Sequence, residues 1–218
     1  MTTYVAPQPL TKDQIAARVA ADIAPGWYVN LGIGLPTLVA DHLTAESGIT
    51  LHTENGMLGM GPAATGGLVD PDLVNAGKVP VVELPGAAYF HQADSFAMMR
   101  GGHIDLCVLG AFQVSVCGDL ANWSTGAPRA VPAVGGAMDL AIGARRTVVM
   151  MTLFAKDGSP KLVPSCTLPL TGLSCTSRIY SDLAVIDVGP VGACVVETFG
   201  IDPDGLEKRL GLSLERPR

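Results

Sequence analysis

Short apolar runs without charge alternate along this chain with breaks that are rich in glycine and proline. Thr147–Phe154 and Trp27–Leu31 are two such runs, and Ile104–Leu109 is similar apart from Asp105 near its start. Strands that are apolar on both sides are typical of sheets whose two faces are covered by helices. Helical patterns lie between several of these runs, so the sequence predicts an α/β protein with a sheet that is buried on both faces.

Local signals indicate where the individual elements lie. Apolar residues recur with helical spacing over Lys12–Ile23, and Thr11 is a suitable N-cap. Pro36 suits the first turn of a second helix that continues to Leu43. A third helix is predicted within Val131–Arg145, which passes through a Gly-Gly step. The further predicted strands are Ile49–Thr53, Val79–Leu84, Asp182–Val188 and Ala193–Glu197.

The chain is poor in charge rather than unusually rich in apolar residues. Charged residues make up 16% of the 218 residues, and hydrophobic residues make up 48%. An average soluble domain carries roughly 25% charged residues. The resulting mean hydropathy of +0.37 argues against a disordered chain. A pI near 5.1 offers no basic surface for nucleic acid.

Membrane insertion and export are also disfavoured by the sequence. The charge-free stretch Ala24–Ala40 is interrupted by glycine and proline, whereas a spanning helix needs about 20 mostly apolar residues. The N-terminal segment is polar and lacks the apolar core of a signal peptide. We therefore expect a single cytoplasmic domain over residues 1–218, with no contact to membrane or nucleic acid.

The cysteines do not form a recognisable metal or disulfide pattern. They show no Cys-x-x-Cys pair and no histidine at ligand spacing, so we expect reduced thiols in or near the core and no metal site. The five positions are Cys107, Cys117, Cys166, Cys175 and Cys194.

Gly32-Ile33-Gly34 stands between a predicted strand and a predicted helix, where a dinucleotide fingerprint would begin. The third glycine of that fingerprint is missing, because position 37 is Thr37. A nicotinamide cofactor is therefore disfavoured. The two glycines could bring backbone N–H groups to an anion, or they could simply form a tight turn.

Glu54 follows a predicted strand and precedes a glycine-rich run with no other charge from Asn55 to Val69. It could be a solvated loop residue. A glutamate is already ionised at neutral pH, however, and can attack an activated acyl group without a general base. Neighbouring Asn55 and Gly56 could let backbone N–H groups approach the oxyanion that such an attack produces.

Gly135-Gly136 at a predicted helix start could also present backbone amides to an oxyanion or a carbonyl. A purely structural helix start, with Asp139 in its first turn, explains the pattern equally well. Arg100 could contact a carboxylate substrate, although a structural ion pair is the commoner role.

Several motifs together connect the chain to a known family. They occur in this order: Asn30–Pro36 (NLGIGLP), Glu54–Pro62 (ENGMLGMGP), Asn75–Lys78 (NAGK), Ser95–His103 (SFAMMRGGH), Leu109–Val114 (LGAFQV), Gly118–Trp123 (GDLANW), Gly135–Leu140 (GGAMDL), Cys166–Gly172 (CTLPLTG) and Arg178–Val185 (RIYSDLAV). From about Lys12 to Leu214 the chain resembles the B-type subunit of the two-subunit 3-oxoacid CoA-transferases.

The resemblance implies an open three-layer α/β/α sandwich of the kind shared by CoA-transferases and sugar-phosphate isomerases. It implies that Glu54 attacks an acyl-CoA thioester and then carries CoA as a glutamyl thioester, with ping-pong kinetics and no cofactor. It further implies that Gly135 and Gly136 lie at the active site, and that Gly32 and Gly34 line the same cleft. The A-type CoA-transferase subunit is the implied partner, in a heterodimer or heterotetramer.

The substrate is indicated by the segment between two of the motifs. Trp123–Arg129 and Val131–Gly136 are similar to the 3-oxoadipate CoA-transferases of aromatic compound degradation by the β-ketoadipate pathway. The alternative succinyl-CoA:acetoacetate type typically has a Pro-Gly-Lys segment there, which this chain lacks. Succinyl-CoA is the expected donor, and Arg129 or Arg100 could contact the distal carboxylate of 3-oxoadipate.

Two other interpretations of the same residues remain open at the level of sequence. A non-catalytic acyl-CoA-binding α/β domain would keep the cleft without using Glu54, and a CoA-ester hydrolase would release CoA to water. The shortage of charge also predicts a large interface with a partner, because permanent interfaces are more apolar than ordinary surface.

Overall fold

The computed structural model describes residues 8–126 and 135–216. The α-helices are α1 (Lys12–Ala21), α2 (Gln92–Arg100), α3 (Ala137–Gly143) and α4 (Pro203–Leu210). Three 3₁₀ helices span Leu35–His42, Ala45–Ser47 and Gly66–Leu68. Helix α1 begins as predicted, because Thr11 and Gln14 form a reciprocal capping box at its first turn.

Most strands belong to one nine-stranded sheet with the order β12-β11-β10-β8-β5-β1-β2-β3-β4, and β6, β7 and β9 form a small second sheet. The strands are β1 (Tyr28–Leu31), β2 (Thr50–Thr53), β3 (Met57–Ala63), β4 (Val81–Tyr89), β5 (Leu106–Leu109), β6 (Gln113–Ser115), β7 (Leu120–Ala121), β8 (Arg146–Met150), β9 (Leu162–Val163), β10 (Thr176–Tyr180), β11 (Ala184–Gly189) and β12 (Gly192–Thr198).

The centre of the large sheet is parallel and its two margins are antiparallel. Strands β10, β8, β5, β1 and β2 run in the same direction, while β3 and β4 at one side and β11 and β12 at the other are antiparallel to their neighbours. The carboxyl ends of the five parallel strands therefore lie at one edge of the sheet. Ligands of open α/β sheets bind at this edge.

Two hydrophobic clusters lie on opposite faces of the sheet and define the three predicted layers. Strand β5 shows the division, because Leu106 and Val108 belong to one cluster while Cys107 and Leu109 belong to the other. Helix α1 and the 3₁₀ helix Leu35–His42 cover the first face, and α2, α3 and α4 cover the second. The α/β/α class expected from the sequence is confirmed.

Some elements differ from their predictions. The segment after Pro36 is a 3₁₀ helix rather than an α-helix. Helices α2 and α4 and strands β3, β6, β7, β9 and β10 were not predicted. The predicted helix within Val131–Arg145 is present as α3, whereas residues 131–134 lie outside the described ranges.

None of the helices in residues 8–126 and 135–216 is long and apolar enough to cross a membrane. Within those same ranges, histidine, cysteine and acidic side chains form no cluster suited to a metal ion. All five cysteines are free thiols, but only Cys107 is fully buried and Cys117 is exposed, so the prediction of thiols in or near the core is wrong for Cys117.

Candidate active site

Glu54 lies at the carboxyl end of β2, in the short turn that leads into β3. Gly56 N donates to the Thr53 carbonyl oxygen at 3.2 Å and closes this turn. Gly56 has a φ of +117°, and a side chain there would overlap the carbonyl oxygen of Phe90. Only glycine fits this position. The turn therefore presents a half-buried Glu54 at the edge of the sheet where ligands bind.

Gly136 brings the backbone at the start of α3 against the Glu54 carboxylate. A Cβ atom added to Gly136 would overlap Glu54 Oε2 and would lie 3.2 Å from Glu54 Cδ. The same position is 3.3 Å from Cζ of Phe96 in α2. Gly136 is buried, has a φ of −70° and is the N-cap residue of α3. The absence of a side chain, rather than an unusual backbone conformation, is what this glycine contributes.

The two residues of the Gly-Gly step are not equivalent. Among the described residues, no atom comes within 4 Å of a Cβ built on Gly135, and Gly135 is exposed. The sequence predicted both glycines at the site. The structure brings Gly136 into contact with Glu54 and leaves Gly135 facing open space in the described part of the chain.

At the carboxyl end of β1, the backbones of β1 and β5 approach each other closely. Gly32 N donates to the Val108 carbonyl oxygen at 2.8 Å, and a Cβ on Gly32 would lie 3.0 Å from Leu109 Cδ2. The chain order reverses between β1 and β5, which makes this the switch point of the sheet. Gly34 has a φ of +86°, and its carbonyl oxygen accepts hydrogen bonds from the backbone and hydroxyl of Thr37. The amide of Gly32 is thus engaged within the sheet.

A buried polar group lies directly behind Glu54. Asn30 Nδ2 is 3.0 Å from His52 Nδ1, and it also donates to the His52 carbonyl oxygen at 3.1 Å. His52 Nε2 is 2.9 Å from Ser95 Oγ, which donates to the Thr53 carbonyl oxygen at 3.0 Å. Burial lowers the pKa of His52 to about 4, so the imidazole is neutral at physiological pH.

Helix α2 joins this polar group to α3. Its residue Ser95 contacts the end of β2, as described above. At its other end, Arg100 Nε donates to Asp139 Oδ1 at 2.6 Å. Gly143 of α3 packs directly on the Met99 carbonyl oxygen, where a Cβ would overlap it. Helix α2 therefore contacts both the strand that precedes Glu54 and the helix that begins after Gly136.

The other predicted site residues have different surroundings. Arg100 is paired with Asp139 and stacks on Phe96 at 5.5 Å, so its role toward a substrate carboxylate stays a prediction. The amide of Gly56 donates to the Thr53 carbonyl oxygen within the turn, and its role toward an oxyanion stays a prediction. Asn55 is exposed beside Glu54. Arg129 lies outside the described residues.

Three residues near Glu54 had no role in the sequence analysis, namely His52, Ser95 and Phe96. A signal for His52 was present, because a histidine between Leu51 and Thr53 is a polar residue within an otherwise buried strand. Ser95 and Phe96 were visible only as part of a motif. Their contacts join positions about forty residues apart or more, which strand and helix patterns do not reveal.

The fold and this site define the class of protein. The coenzyme A transferase family model matches residues 12–199, and the chain belongs to this family. It is a CoA-transferase, and the curated proteins similar to it are also named as CoA-transferases.

Individual relatives narrow the comparison. The chain is 61% identical over 206 residues to the B-type subunit of the 3-oxoadipate CoA-transferase of Pseudomonas putida. The aligned region covers 94% of this chain and 96% of that protein. It is 47% identical over 205 residues to the B-type subunit of the succinyl-CoA:3-ketoacid coenzyme A transferase of Helicobacter pylori, covering 94% of this chain and 98% of that protein.

A solved structure supports the fold independently. The acyl-CoA transferase (YdiF) apoenzyme from Escherichia coli O157:H7 superposes with a TM-score of 0.73 at 17% sequence identity. The match covers 95% of this chain and 42% of that one. At this identity the likeness concerns the fold alone.

Proposed function

We propose that this chain is the B-type subunit of a CoA-transferase that moves CoA from succinyl-CoA to 3-oxoadipate through a thioester on Glu54. The observation that carries the proposal is the contact between the Glu54 carboxylate and the backbone of Gly136 at the ligand-binding edge of the sheet. The name of the Pseudomonas relative supports the substrate. The reaction needs no metal or redox cofactor, since every bond is exchanged between carboxylates and a thiolate.

The proposed reaction consists of two half-reactions, each made of two acyl transfers. A Glu54 carboxylate oxygen attacks the thioester carbonyl carbon of succinyl-CoA, the C–S bond breaks, and a mixed anhydride and CoA thiolate form. The thiolate then attacks the glutamyl carbonyl carbon and releases succinate. The carboxylate of 3-oxoadipate attacks the resulting glutamyl-CoA thioester, and the same steps in reverse return Glu54 and yield 3-oxoadipyl-CoA.

Two of the thiols, those of Cys107 and Cys166, have environments that make them weak nucleophiles. Cys107 is fully buried, and burial raises the pKa of its thiol. Burial likewise raises the pKa of the partly buried Cys166 to about 11. Both thiols are therefore protonated at neutral pH, and thiols react as nucleophiles in the thiolate form. The carboxylate of Glu54, in contrast, lies half-buried at the edge of the sheet where ligands bind.

The choice of 3-oxoadipate over acetoacetate rests on the degree of similarity and on the segment before α3. Over nearly the same share of the chain, identity is 61% to the relative named for 3-oxoadipate and 47% to the relative named for succinyl-CoA:3-ketoacid transfer. We further propose that Arg129 or Arg100 contacts the distal carboxylate of 3-oxoadipate. An acetoacetate-specific enzyme is the alternative.

A second type of subunit would account for the apolar surface of this chain. Large apolar side chains are exposed, including Ile33 after β1 at 71% and Ile142 in α3 at 64%. Leu173 is 68% exposed, and its neighbour Gly172 lies against Ile142. The relatives are named as B-type subunits, which implies an A-type partner. We propose a cytoplasmic heterodimer or heterotetramer in which the A-type subunit covers this surface.

Mass measurement of the enzyme tests the proposal. The chain, co-expressed with its A-type partner, is incubated with succinyl-CoA and digested, and we expect CoA attached to the peptide that contains Glu54. Glu54→Gln removes the nucleophile with little change in volume and should abolish both the adduct and transfer. Glu46→Gln, at an exposed position, is the matched control and should behave as wild type.

The outcomes separate the alternatives. Full transfer by Glu54→Gln contradicts the proposed mechanism, and release of CoA without transfer to an acid indicates a hydrolase. Acyl-CoA binding without turnover by the wild-type complex indicates a non-catalytic domain. Acceptance of acetoacetate in preference to 3-oxoadipate supports the alternative substrate.

A further inference from the structure

We propose that His52 and Ser95 are positioning residues for Glu54, acting through a one-way chain of hydrogen bonds that ends on the Thr53 carbonyl oxygen. This inference rests on the proposed role of Glu54 as the nucleophile. It adds two residues that do not touch the reacting atoms but determine the direction from which the carboxylate is presented.

The direction of the chain follows from the first donor. Asn30 Nδ2 donates to the His52 carbonyl oxygen, which can only accept, so the amide nitrogen of Asn30 is identified and its second hydrogen faces His52 Nδ1. His52 Nδ1 is then an acceptor, and the imidazole proton lies on Nε2. His52 Nε2 donates to Ser95 Oγ, and the Ser95 hydroxyl donates to the Thr53 carbonyl oxygen. In this arrangement both His52 nitrogens, the Asn30 amide nitrogen and the Ser95 hydroxyl each have a partner.

Burial makes this chain rigid. Asn30, His52 and Ser95 are 3%, 2% and 0% exposed, so water cannot replace a lost partner. Hydrogen bonds in such surroundings reinforce one another, and an unpaired member is costly. The neutral imidazole that the chain requires agrees with the lowered pKa of His52. The stacked ring of Phe90, 6.3 Å away, further restricts the imidazole.

The hydrogen-bond chain ends on the peptide group between Thr53 and Glu54. The Thr53 carbonyl and the Glu54 nitrogen belong to one planar unit, so a hydrogen bond to the oxygen fixes the orientation of the whole plane. The same oxygen accepts from Gly56 N, which closes the turn. The turn after β2 is therefore held by two hydrogen bonds to the same oxygen, one from Ser95 in α2 and one from Gly56 within the turn.

The same helix carries the opposite wall of the site. Phe96 follows Ser95 and reaches the Gly136 position, and Arg100 and Met99 contact α3. Ser95 is therefore the point at which the helix that contacts α3 is joined to the strand that carries Glu54. Loss of this hydrogen bond should disturb the alignment of Glu54 with Gly136 more than it disturbs substrate binding.

The test compares substitutions that keep different parts of the chain. The complex with the A-type partner is mixed with saturating succinyl-CoA, and the rate at which CoA appears on Glu54 is followed by quenching and mass measurement. We expect Ser95→Ala to lower this rate about 10- to 100-fold, as a misplaced reacting group does, with the KM for succinyl-CoA within about threefold of wild type.

Two substitutions of His52 separate its nitrogens. In His52→Gln the amide nitrogen can replace Nε2 and donate to Ser95, so the rate should stay within about threefold of wild type. In His52→Asn the shorter side chain can accept from Asn30 but cannot reach Ser95, and we expect a loss of about tenfold or more. The control is Ser181→Ala, which removes a buried hydroxyl that bonds the Ala184 carbonyl oxygen at 2.7 Å in the turn after β10.

Several results would overturn the inference. Ser95→Ala forming the adduct at the wild-type rate contradicts it, and so does an equal slowing by Ser181→Ala. ¹⁵N NMR of His52 in the wild-type complex provides a readout that does not depend on catalysis, and a proton on Nδ1 would reverse the chain and refute it. A wild-type complex that forms no adduct, while His52 carries its proton on Nε2, contradicts the proposed function and leaves the hydrogen-bond chain supported.

Discussion

Replacing Gly136 with alanine tests the contact at the centre of the site. Its φ of −70° is suitable for alanine, so the substitution introduces no backbone strain. The new Cβ would overlap Glu54 Oε2 and would lie 3.3 Å from Phe96 Cζ. Glu54 is half-buried and its carboxylate is the flexible end of the side chain. We therefore expect the carboxylate to move rather than α3.

The expected size of the effect follows from the overlap. Glu54 Oε2 has to move by roughly 1 Å to reach ordinary van der Waals contact with the new methyl group. A displacement of about 1 Å in a reacting group can lower a rate about 100-fold, which corresponds to about 2.7 kcal/mol of activation free energy. Alanine is a poorer N-cap than glycine, so the free energy of unfolding should fall by only about 1 kcal/mol.

The assay measures the rate of CoA attachment to Glu54 in a single turnover, beside urea unfolding of the same protein. Gly135→Ala is the matched control, because among the described residues its Cβ meets no atom within 4 Å. We expect its rate to stay within about threefold of wild type. Equal losses in the two variants, or a wild-type rate for Gly136→Ala, would refute the reasoning.

Three further predictions concern stability and are measured by urea unfolding. The pKa of His52 falls from 6.5 to about 4 on folding, so the unfolded protein binds more protons than the folded protein between these pH values. The free energy of unfolding should therefore drop by up to about 3 kcal/mol as the pH falls from 6.5 to 4. His52→Gln should lack this loss, and a variant with the same pH dependence as wild type would contradict burial of His52 as the cause. Arg178→Gln removes a two-pronged contact with Asp187, at 2.6 and 2.9 Å, and should lower the free energy of unfolding by about 2 kcal/mol; a change below about 0.5 kcal/mol would indicate that solvent already screens the pair. Gly143→Ala places a methyl group against the Met99 carbonyl oxygen, which should push α2 and α3 apart. The free energy of unfolding should fall by about 2 kcal/mol, and adduct formation on Glu54 should slow. Destabilisation with an unchanged rate of adduct formation would show that the spacing of α2 and α3 does not govern the site.

The sequence predicted well those features whose causes are local. Helix α1 begins at Lys12 because Thr11 and Gln14, three positions apart, complete each other's hydrogen bonds. The central strands were predicted because residues such as those of β5 are apolar on both sides. Strand β3 was not predicted, because Met57–Ala63 contains glycine and proline and is held in the sheet by pairing with β2 and β4.

The chemical character of Glu54 was likewise available from the chain alone. A glutamate that follows a buried strand and precedes a long charge-free run suggests a carboxylate at the carboxyl end of the sheet. The motifs around it are similar to those of a family in which this residue is the nucleophile. Residue type and order along the chain were sufficient for that expectation.

Only the tertiary structure decided which residues meet Glu54. Gly135 and Gly136 are the same residue type and adjacent in sequence, but the packing of α3 against α2 brings only Gly136 to the Glu54 carboxylate. The contact between Ser95 and Thr53 joins positions 42 residues apart. Hydrophobic period and capping act within one or two turns of chain, whereas these contacts depend on how separate elements stack on the sheet. The sequence by itself therefore determined the fold class and predicted Glu54 as the nucleophile, and the stacking of α2 and α3 on the sheet decided which residues surround Glu54.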